Sequence, residues 1–241
     1  MDPAVVLLSG GLDSSTTLAI ALKEGFMAYA LTFAYGQRHY REVQAAKDVA
    51  RALRVQDHRV LQLDLGQIGG SALTDTRVPV PMERDLAAIA EGIPETYVPA
   101  RNTILLSHAL AWSEVVDAGT IFVGATAIDY SGYPDCRPEF YKAFESVARV
   151  GTRRGVEGRP VKIRHPLIDL SKADIVRTAM DLAVPLDLTW SCYLGEEDAC
   201  GLCDACQLRL KGFQEAGVAD PIRYQTFPDW YGRGAAGVRE G

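Results

Sequence analysis

This chain of 241 residues lacks both a long apolar run and a surplus of basic charge. No stretch approaches the ~20 apolar residues of a membrane-spanning helix, so we expect no membrane partner. Lysine and arginine number 25 against 31 acidic residues, which gives a formal charge of −6. Proteins that bind nucleic-acid backbones usually carry a basic excess, so we expect no nucleic-acid partner. The first residues enter an apolar run without a basic, signal-type leader, and we therefore expect a cytoplasmic protein.

The chain also lacks the side-chain patterns of covalent catalysis. It contains no G-x-S-x-G nucleophile elbow and no plausible set of Ser, His and Asp. Its glycine-rich loop does not have the spacing of the Walker lysine motif, and there is no internal repeat or low-complexity segment. These absences give no support to a mechanism that depends on a protein nucleophile.

The most informative stretch that is present is 9–14 (SGGLDS), directly after the apolar run 5–8. The apolar run predicts a strand that is buried on both faces. Residues 13–24 have helical spacing of apolar side chains and are followed by Gly25, a favoured residue after a helix end. In a strand, glycine loop and helix of this kind, backbone N–H groups and the positive helix end face an anion. We predict a phosphate-binding loop.

The pattern SGG-x-DS resembles the PP-loop of ATP pyrophosphatases, which cleave ATP between the α and β phosphates and transfer AMP to an oxygen of their substrate. Asp13 at the helix start suits a helix cap or a magnesium contact, and we expect it to be catalytic with ATP and Mg²⁺. An ordinary strand–turn–helix with a capping residue is the alternative. The residues expected at ATP are Leu8, Ser9, Gly10, Gly11, Leu12, Asp13, Ser14, Ser15, Thr16, Thr17 and Leu18.

Apolar strand-like runs alternate with helical patterns along the chain, which is typical of a parallel sheet with helices on both faces. Strands are predicted over 5–8, 28–33, 58–63, 120–124 and 161–165, and helices over 13–24, 43–53, 101–117, 139–150 and 171–183 and from 204. Residues 66–100 lack clear periodicity and predict a long loop with a helical turn or two around 85–90. We predict an α/β fold, a doubly wound parallel sheet of the adenine nucleotide alpha hydrolase-like type, with ligands beyond the carboxyl ends of the strands.

Four of the five cysteines, Cys192, Cys200, Cys203 and Cys206, form the pattern C-x7-C-x2-C-x2-C. In a chain without an export signal, such clustering argues for a metal site rather than disulfides. Four thiolates with no open coordination position match a closed, structural zinc site. An iron–sulfur cluster is the alternative, because thiolate spacing alone does not exclude it.

The predicted domains are a PP-loop ATP-binding and substrate domain over 1–188, a zinc-binding knuckle with its helix over 189–216, and a C-terminal tail over 217–241. The tail is rich in glycine and proline and contains Trp230 and Tyr231. Docking on the main domain or on a partner subunit, and a mobile tail, are both compatible with this composition.

Three further stretches, 33–39 (FAYGQRH), 98–102 (VPARN) and 129–137 (DYSGYPDCR), together with the knuckle, resemble the 7-cyano-7-deazaguanine synthases. The matches follow one order from residue 5 to about 213. One departure is Ala100, where the family commonly has glycine, and the loop is expected to be less free in φ there.

The resemblance implies an ATP-dependent carbon–nitrogen ligase that converts 7-carboxy-7-deazaguanine and ammonia to 7-cyano-7-deazaguanine in queuosine biosynthesis. Adenylation would turn a carboxylate oxygen into a leaving group, ammonia would form the amide, and a second ATP would activate the amide oxygen to leave the nitrile. The chain has no room for a glutaminase domain, so free ammonia is the expected nitrogen source. The family also suggests a homodimer.

Several charged residues are candidates for this chemistry. Lys172 and Arg101 each stand at a predicted helix start, where the helix dipole disfavours a cation. A phosphate or substrate carboxylate would explain both, and solvated side chains are the alternative. Asp129 or Asp135 could accept two hydrogen bonds from the guanine-like edge of the substrate, or cap the helix that follows. The substrate residues expected are Tyr35, Arg38, Asp129, Tyr130 and Asp135, the two tyrosines because their rings could stack on the base and Arg38 because it follows a glycine turn at a strand end.

Two other functions remain open on the sequence alone. A tRNA-thiolating PP-loop enzyme would use Cys136 to carry sulfur, although the acidic charge balance counts against it. A zinc-stabilised nucleotide-binding regulator would need no chemistry at all.

Overall fold

A computed structural model describes residues 1–36, 41–75, 77–89, 92–126, 132–194 and 197–232. At its centre lies a five-stranded sheet in the order β3-β2-β1-β4-β5, in which every paired strand is parallel. The strands are β1 Pro3–Leu7, β2 Met27–Ala34, β3 Asp57–Gln62, β4 Thr120–Phe122 and β5 Lys162–Arg164. The chain runs outward from β1 in both directions, so the strand order reverses beside β1. The prediction of a doubly wound parallel sheet is confirmed.

Eight α-helices surround the sheet in the described residues: α1 Leu12–Lys23, α2 Arg41–Ala52, α3 Leu86–Ile89, α4 Arg101–Val115, α5 Pro138–Gly151, α6 Arg153–Val156, α7 Lys172–Asp181 and α8 Asp204–Ala216. Short 3₁₀ turns cover Leu65–Gln67, Pro134–Cys136 and Leu186–Leu188. None of these helices is long and apolar enough to cross a membrane.

The two faces of β1 explain its uninterrupted apolar sequence. Val5 is fully buried against α4 and α5, in a cluster that includes Leu106 and Phe144. Its neighbour Val6 points to the other face and packs in a second cluster with Leu18 of α1 and residues of α2. A strand covered on both sides needs apolar residues at every position, which is why the sequence shows a run rather than an alternation.

Helices α7 and α8 form an outer layer on α1. Ile175 of α7 and Phe213 of α8 are buried with Ala19 of α1 in a third apolar cluster. Ser171 caps α7 as its sequence predicts, because its Oγ accepts a hydrogen bond from the Asp174 N–H at 3.1 Å.

The described part of the predicted tail packs on the cysteine knuckle. The Gln225 N–H donates to the Ala199 carbonyl at 2.8 Å, and the Ala199 N–H donates to the Arg223 carbonyl at 2.9 Å. Arg209 of α8 and Asp220 form an ion pair in which each side chain is only 2% exposed. The proposed boundary between knuckle and tail remains a prediction.

Candidate active site

The loop between β1 and α1 is held between two neighbouring elements by glycines. Gly10 has φ +87°, and a Cβ there would lie 2.5 Å from the Ala46 nitrogen and 2.6 Å from the Glu42 carbonyl oxygen of α2. On the other side, a Cβ at Gly124 would lie 3.0 Å from the Ser14 nitrogen. The close approach of these backbones therefore fixes the position of the loop beside the start of α1.

Two of the predicted catalytic residues meet at this loop. The Lys172 ammonium donates to both carboxylate oxygens of Asp13, at 2.9 Å and 2.8 Å. Their side chains are 13% and 27% exposed, so the pair is largely withdrawn from solvent. Lys172 is the first residue of α7, which places a cation and a carboxylate from distant parts of the sequence directly beside the glycine loop.

A cavity of about 320 Å³ opens at the carboxyl ends of β1, β2 and β4. This is the position predicted for ligands in a doubly wound sheet. Its polar lining includes Ser9, Asp13, Tyr35, Glu42, Arg101 and Asn102. The loop and the charged groups beyond it therefore share one space of the size that suits a small-molecule ligand.

Only part of the predicted ATP segment faces this cavity. Leu8, Ser9, Gly11, Leu12, Asp13 and Ser14 contribute to its lining. By contrast, Leu18 is fully buried in the apolar cluster around β1, and the Thr16 hydroxyl donates to the Leu12 carbonyl at 2.8 Å. Whether each residue of 8–18 contacts ATP remains a prediction.

Arg101 brings a charge to the far side of the cavity. It is the first residue of α4, whose N-cap Ala100 has φ +52°, in the left-handed region that glycine usually occupies. Its guanidinium donates to the Tyr35 hydroxyl at 3.2 Å. Burial by itself lowers the pKa of Arg101. The electrostatic effect of Tyr35, Tyr133 and Cys136 is larger than that of burial, and the pKa is raised overall. Arg101 therefore remains a cation in the cavity.

Glu42 is a cavity residue that the sequence analysis did not single out. It lies in the first turn of α2 and lines the cavity near Arg101. Burial raises the pKa of Glu42 to about 7, although the charge of Arg101 lowers it in part. An acidic residue in the first turn is a common feature of any helix, so no sequence signal separates Glu42 from an ordinary surface glutamate.

Asp135 lies in a different setting from the one expected for base recognition. It is buried, and its Oδ2 accepts a hydrogen bond from the Asn102 N–H at 2.9 Å. The Asn102 amide in turn donates to the Asp135 carbonyl and to the Cys136 sulfur, each at 3.0 Å. Asp135 thus accepts a hydrogen bond from one of the free backbone N–H groups at the start of α4. Among the described residues, it is not part of the cavity lining. Its role in reading the base remains a prediction, while Arg38, Asp129 and Tyr130 lie outside the described residues.

The four clustered cysteines come together as the sequence predicts. All are buried, and their sulfur atoms lie within 4.8 Å of one another. The Cys200 and Cys206 sulfurs are 3.9 Å apart. Two sulfur ligands of a tetrahedral zinc ion, each about 2.3 Å from the metal, would be about 3.8 Å apart. The set fits a single metal ion.

The segment that leads into the cysteine cluster is hydrogen-bonded to the glycine loop. The Trp190 N–H donates to the Gly10 carbonyl at 2.9 Å, and Trp190, Ser191 and Cys192 all line the cavity. One wall of the cavity is therefore the segment that enters the metal site.

Comparisons with known proteins agree with this geometry. A family model described as "Queuosine biosynthesis protein QueC" matches residues 3–217. A 7-cyano-7-deazaguanine synthase from Anaeromyxobacter dehalogenans is 60% identical over 222 residues, covering 92% of this chain and 95% of the relative. A 7-cyano-7-deazaguanine synthase from Thermoplasma volcanium is 54% identical over 236 residues, covering 98% of this chain and 96% of the relative.

A solved structure of NMN synthetase from Francisella tularensis is 15% identical, covers 90% of this chain and 73% of that one, and has a TM-score of 0.48. The resemblance noted in the sequence is confirmed by the family match over nearly the whole chain. This chain belongs to the family of the queuosine biosynthesis protein QueC.

Proposed function

We propose that this chain converts 7-carboxy-7-deazaguanine and ammonia to 7-cyano-7-deazaguanine with two molecules of ATP. The observation that carries the proposal is that one cavity is lined both by the glycine loop with Asp13, on which the Lys172 ammonium lies, and by Arg101. One end offers backbone and ammonium donors for phosphates, and the other offers a cation for a carboxylate. The names of the relatives give the same product.

At the phosphate end, the open start of α1 and the Lys172 ammonium would bind the phosphates of ATP. Asp13 is the residue that would hold Mg²⁺, since a carboxylate oxygen is the ligand that this ion prefers. Mg²⁺ supplies charge neutralisation to the phosphates when it is bound. The role of the protein is to orient the α phosphorus towards the substrate carboxylate.

At the other end, Arg101 would orient the substrate carboxylate and Tyr35 would fix the guanidinium. The carboxylate oxygen bonds to the α phosphorus and pyrophosphate leaves. Ammonia then forms a C–N bond, the C–O bond to AMP breaks, and a proton is lost, which gives the amide. The amide oxygen takes a second AMP group with loss of pyrophosphate, and departure of AMP with two protons leaves the C≡N bond.

The donor set of the cysteine cluster supports zinc in a structural role, because four thiolates leave no open position for a substrate. A four-iron cluster would hold its cysteine sulfurs further apart, since the cluster itself lies between them. Elemental analysis of the purified protein tests this assignment, and one zinc per chain without iron is expected. The homodimer and the cytoplasmic location remain predictions of the sequence analysis.

The test of the proposed reaction is mass spectrometry of a mixture of the protein, ATP, Mg²⁺, ammonium and 7-carboxy-7-deazaguanine. We expect the amide and then the nitrile to accumulate, with AMP and pyrophosphate released only when the deazapurine is present. If neither product forms with the metal-loaded protein, the proposed reaction is wrong. AMP release without the deazapurine would point to a different acceptor.

A further inference from the structure

Helix α8 contains a buried glycine, Gly212, in its interior. Glycine is unfavourable inside a helix relative to alanine, so its presence calls for a local reason. A Cβ at Gly212 would lie 2.4 Å from Cγ of Lys172, 3.1 Å from its Cβ and 3.2 Å from its carbonyl oxygen. The absent side chain therefore leaves the space that the Lys172 stem occupies.

The path of that stem determines where the Lys172 ammonium lies. Lys172 begins α7, and its side chain crosses to the start of α1, where the ammonium donates to both oxygens of Asp13 at 2.9 Å and 2.8 Å. The residue next to Gly212, Phe213, is fully packed against Ile175 of α7. Because α7 and α8 are locked together by this apolar contact, the stem has no room to move if a methyl group appears at position 212.

We infer that Gly212 is a positioning residue for the adenylation step. Because Gly212 has no side chain, the aliphatic part of Lys172 can pack against its Cα. In that position the ammonium reaches Asp13 beside the phosphate loop. This inference rests on the proposed function, since it takes Lys172 to act on a phosphate of ATP. It adds a residue from the helix of the cysteine cluster to the phosphate site, because Cys203 is the N-cap of α8 and Cys206 lies in its first turn.

The first experiment compares Gly212→Ala with the wild-type chain, both loaded with metal. The readout is ATP–pyrophosphate exchange that depends on 7-carboxy-7-deazaguanine. A misplacement of ~1 Å at a catalytic group costs on the order of a hundredfold in rate, so we expect kcat to fall by at least tenfold with an unchanged KM for the deazapurine. Gly151→Ala is the matched control, because a Cβ at that helix residue meets no atom within 4 Å, and it should leave kcat unchanged.

The second experiment tests whether Gly212 acts through Lys172. In a Lys172→Ala background the 2.4 Å clash with Cγ is gone and only the 3.1 Å and 3.2 Å contacts with Cβ and the carbonyl oxygen remain, so Gly212→Ala should cause a much smaller further loss of exchange and of ATP affinity, and the double variant should regain most of the thermal stability. Equal fold losses on both backgrounds would show that Gly212 merely packs α8, and the inference would be overturned. If Gly212→Ala alone fails to fold, recovery of the fold in the double variant supports the inference, and no recovery overturns it.

A crystal structure of Gly212→Ala separates this inference from the proposed reaction. We expect the Lys172 ammonium to have left hydrogen-bond distance of the Asp13 carboxylate. An unchanged contact would overturn the inference whatever the activity. If the wild-type chain shows no exchange with the deazapurine, the proposed substrate is wrong, and the structure together with ATP affinity still decides the role of Gly212.

Discussion

The two ends of the cavity are built in different ways. The phosphate end comes mainly from one continuous segment, the loop between β1 and α1, to which Lys172 and the segment at Trp190 and Ser191 are added from elsewhere in the chain. The far end is assembled from side chains of three separate segments, namely Tyr35 after β2, Glu42 in α2 and Arg101 at the start of α4. Backbone amides recognise phosphates, so that end is a local motif, whereas side chains recognise the second substrate and can come from anywhere in the chain.

The strongest test of the phosphate end is Gly10→Ala. The new Cβ would meet α2 backbone atoms at 2.5 Å and 2.6 Å, and the φ of +87° adds strain of its own. We expect turnover to be abolished and the free energy of unfolding to fall by ~3 kcal/mol or more, as measured by urea denaturation. Gly25→Ala is the matched control, because it has the same φ but no atom within 4 Å of its Cβ. It should cost only ~1–2 kcal/mol, and equal losses in the two variants would contradict the close approach of α2.

Arg101→Lys tests whether the far end acts independently of the phosphate end. Lysine keeps the positive charge but cannot reproduce the planar guanidinium that donates to Tyr35. We expect kcat/KM for the deazapurine to fall on the order of thirtyfold, which corresponds to ~2 kcal/mol for a hydrogen bond to a charged group. The affinity for ATP, measured by calorimetry, should not change. A parallel loss of ATP affinity would show that the two ends cannot be separated.

Glu42→Gln tests the electrostatics of the far end through pH. The folded chain holds a proton on Glu42 up to a pKa of about 7, whereas the unfolded chain releases it near the ordinary value of 4.5. The contribution of Glu42 to stability is therefore complete below about 4.5 and is lost as the pH rises to about 7. Denaturation curves across this range should show a shallower decline for the neutral Glu42→Gln variant than for the wild type. Parallel declines would mean that Glu42 is ionised in the folded chain.

Cys136→Ser should have the smallest effect, although the residue lines the cavity. The proposed reaction needs no thiol, and serine can accept the hydrogen bond that Asn102 donates to the sulfur. We expect nitrile formation to stay within about threefold of wild type, a difference below ~1 kcal/mol. Loss of all activity in a well-folded variant would favour the sulfur-carrying alternative.

Local sequence patterns predicted those helices and helix caps that are determined by residues close to them in the chain. The helix predicted over 13–24 is α1 Leu12–Lys23, and the Ser171 cap of α7 is present as expected. The strand predicted over 120–124 ends earlier, at Phe122. The backbone at Gly124 lies against Ser14 of α1, and only the folded structure shows that contact.

The far end of the cavity was harder to predict, because its side chains are also placed by long-range contacts. Asp135 and Glu42 are both acidic residues near helix starts, and sequence gives no means of telling which one faces the cavity. The structure places Glu42 in the lining and Asp135 on the Asn102 N–H. Long-range packing decides the direction of each carboxylate, and that information is not contained in local spacing.

The ion pair between Arg209 and Asp220 has a consequence for any shortened version of this protein. A gene trimmed where the family match stops, at residue 217, would delete Asp220 and Tyr224, whose hydroxyl also donates to that carboxylate at 2.7 Å. The guanidinium of Arg209 would then lose its counter-ion and keep only its hydrogen bonds to the Thr189 hydroxyl and the Leu186 carbonyl, and losing one partner of a buried ion pair costs up to ~3–5 kcal/mol where the site stays closed to water. Because domains are typically only about 5–15 kcal/mol more stable folded than unfolded, we expect a chain that ends at residue 217 to be markedly less stable than the full chain.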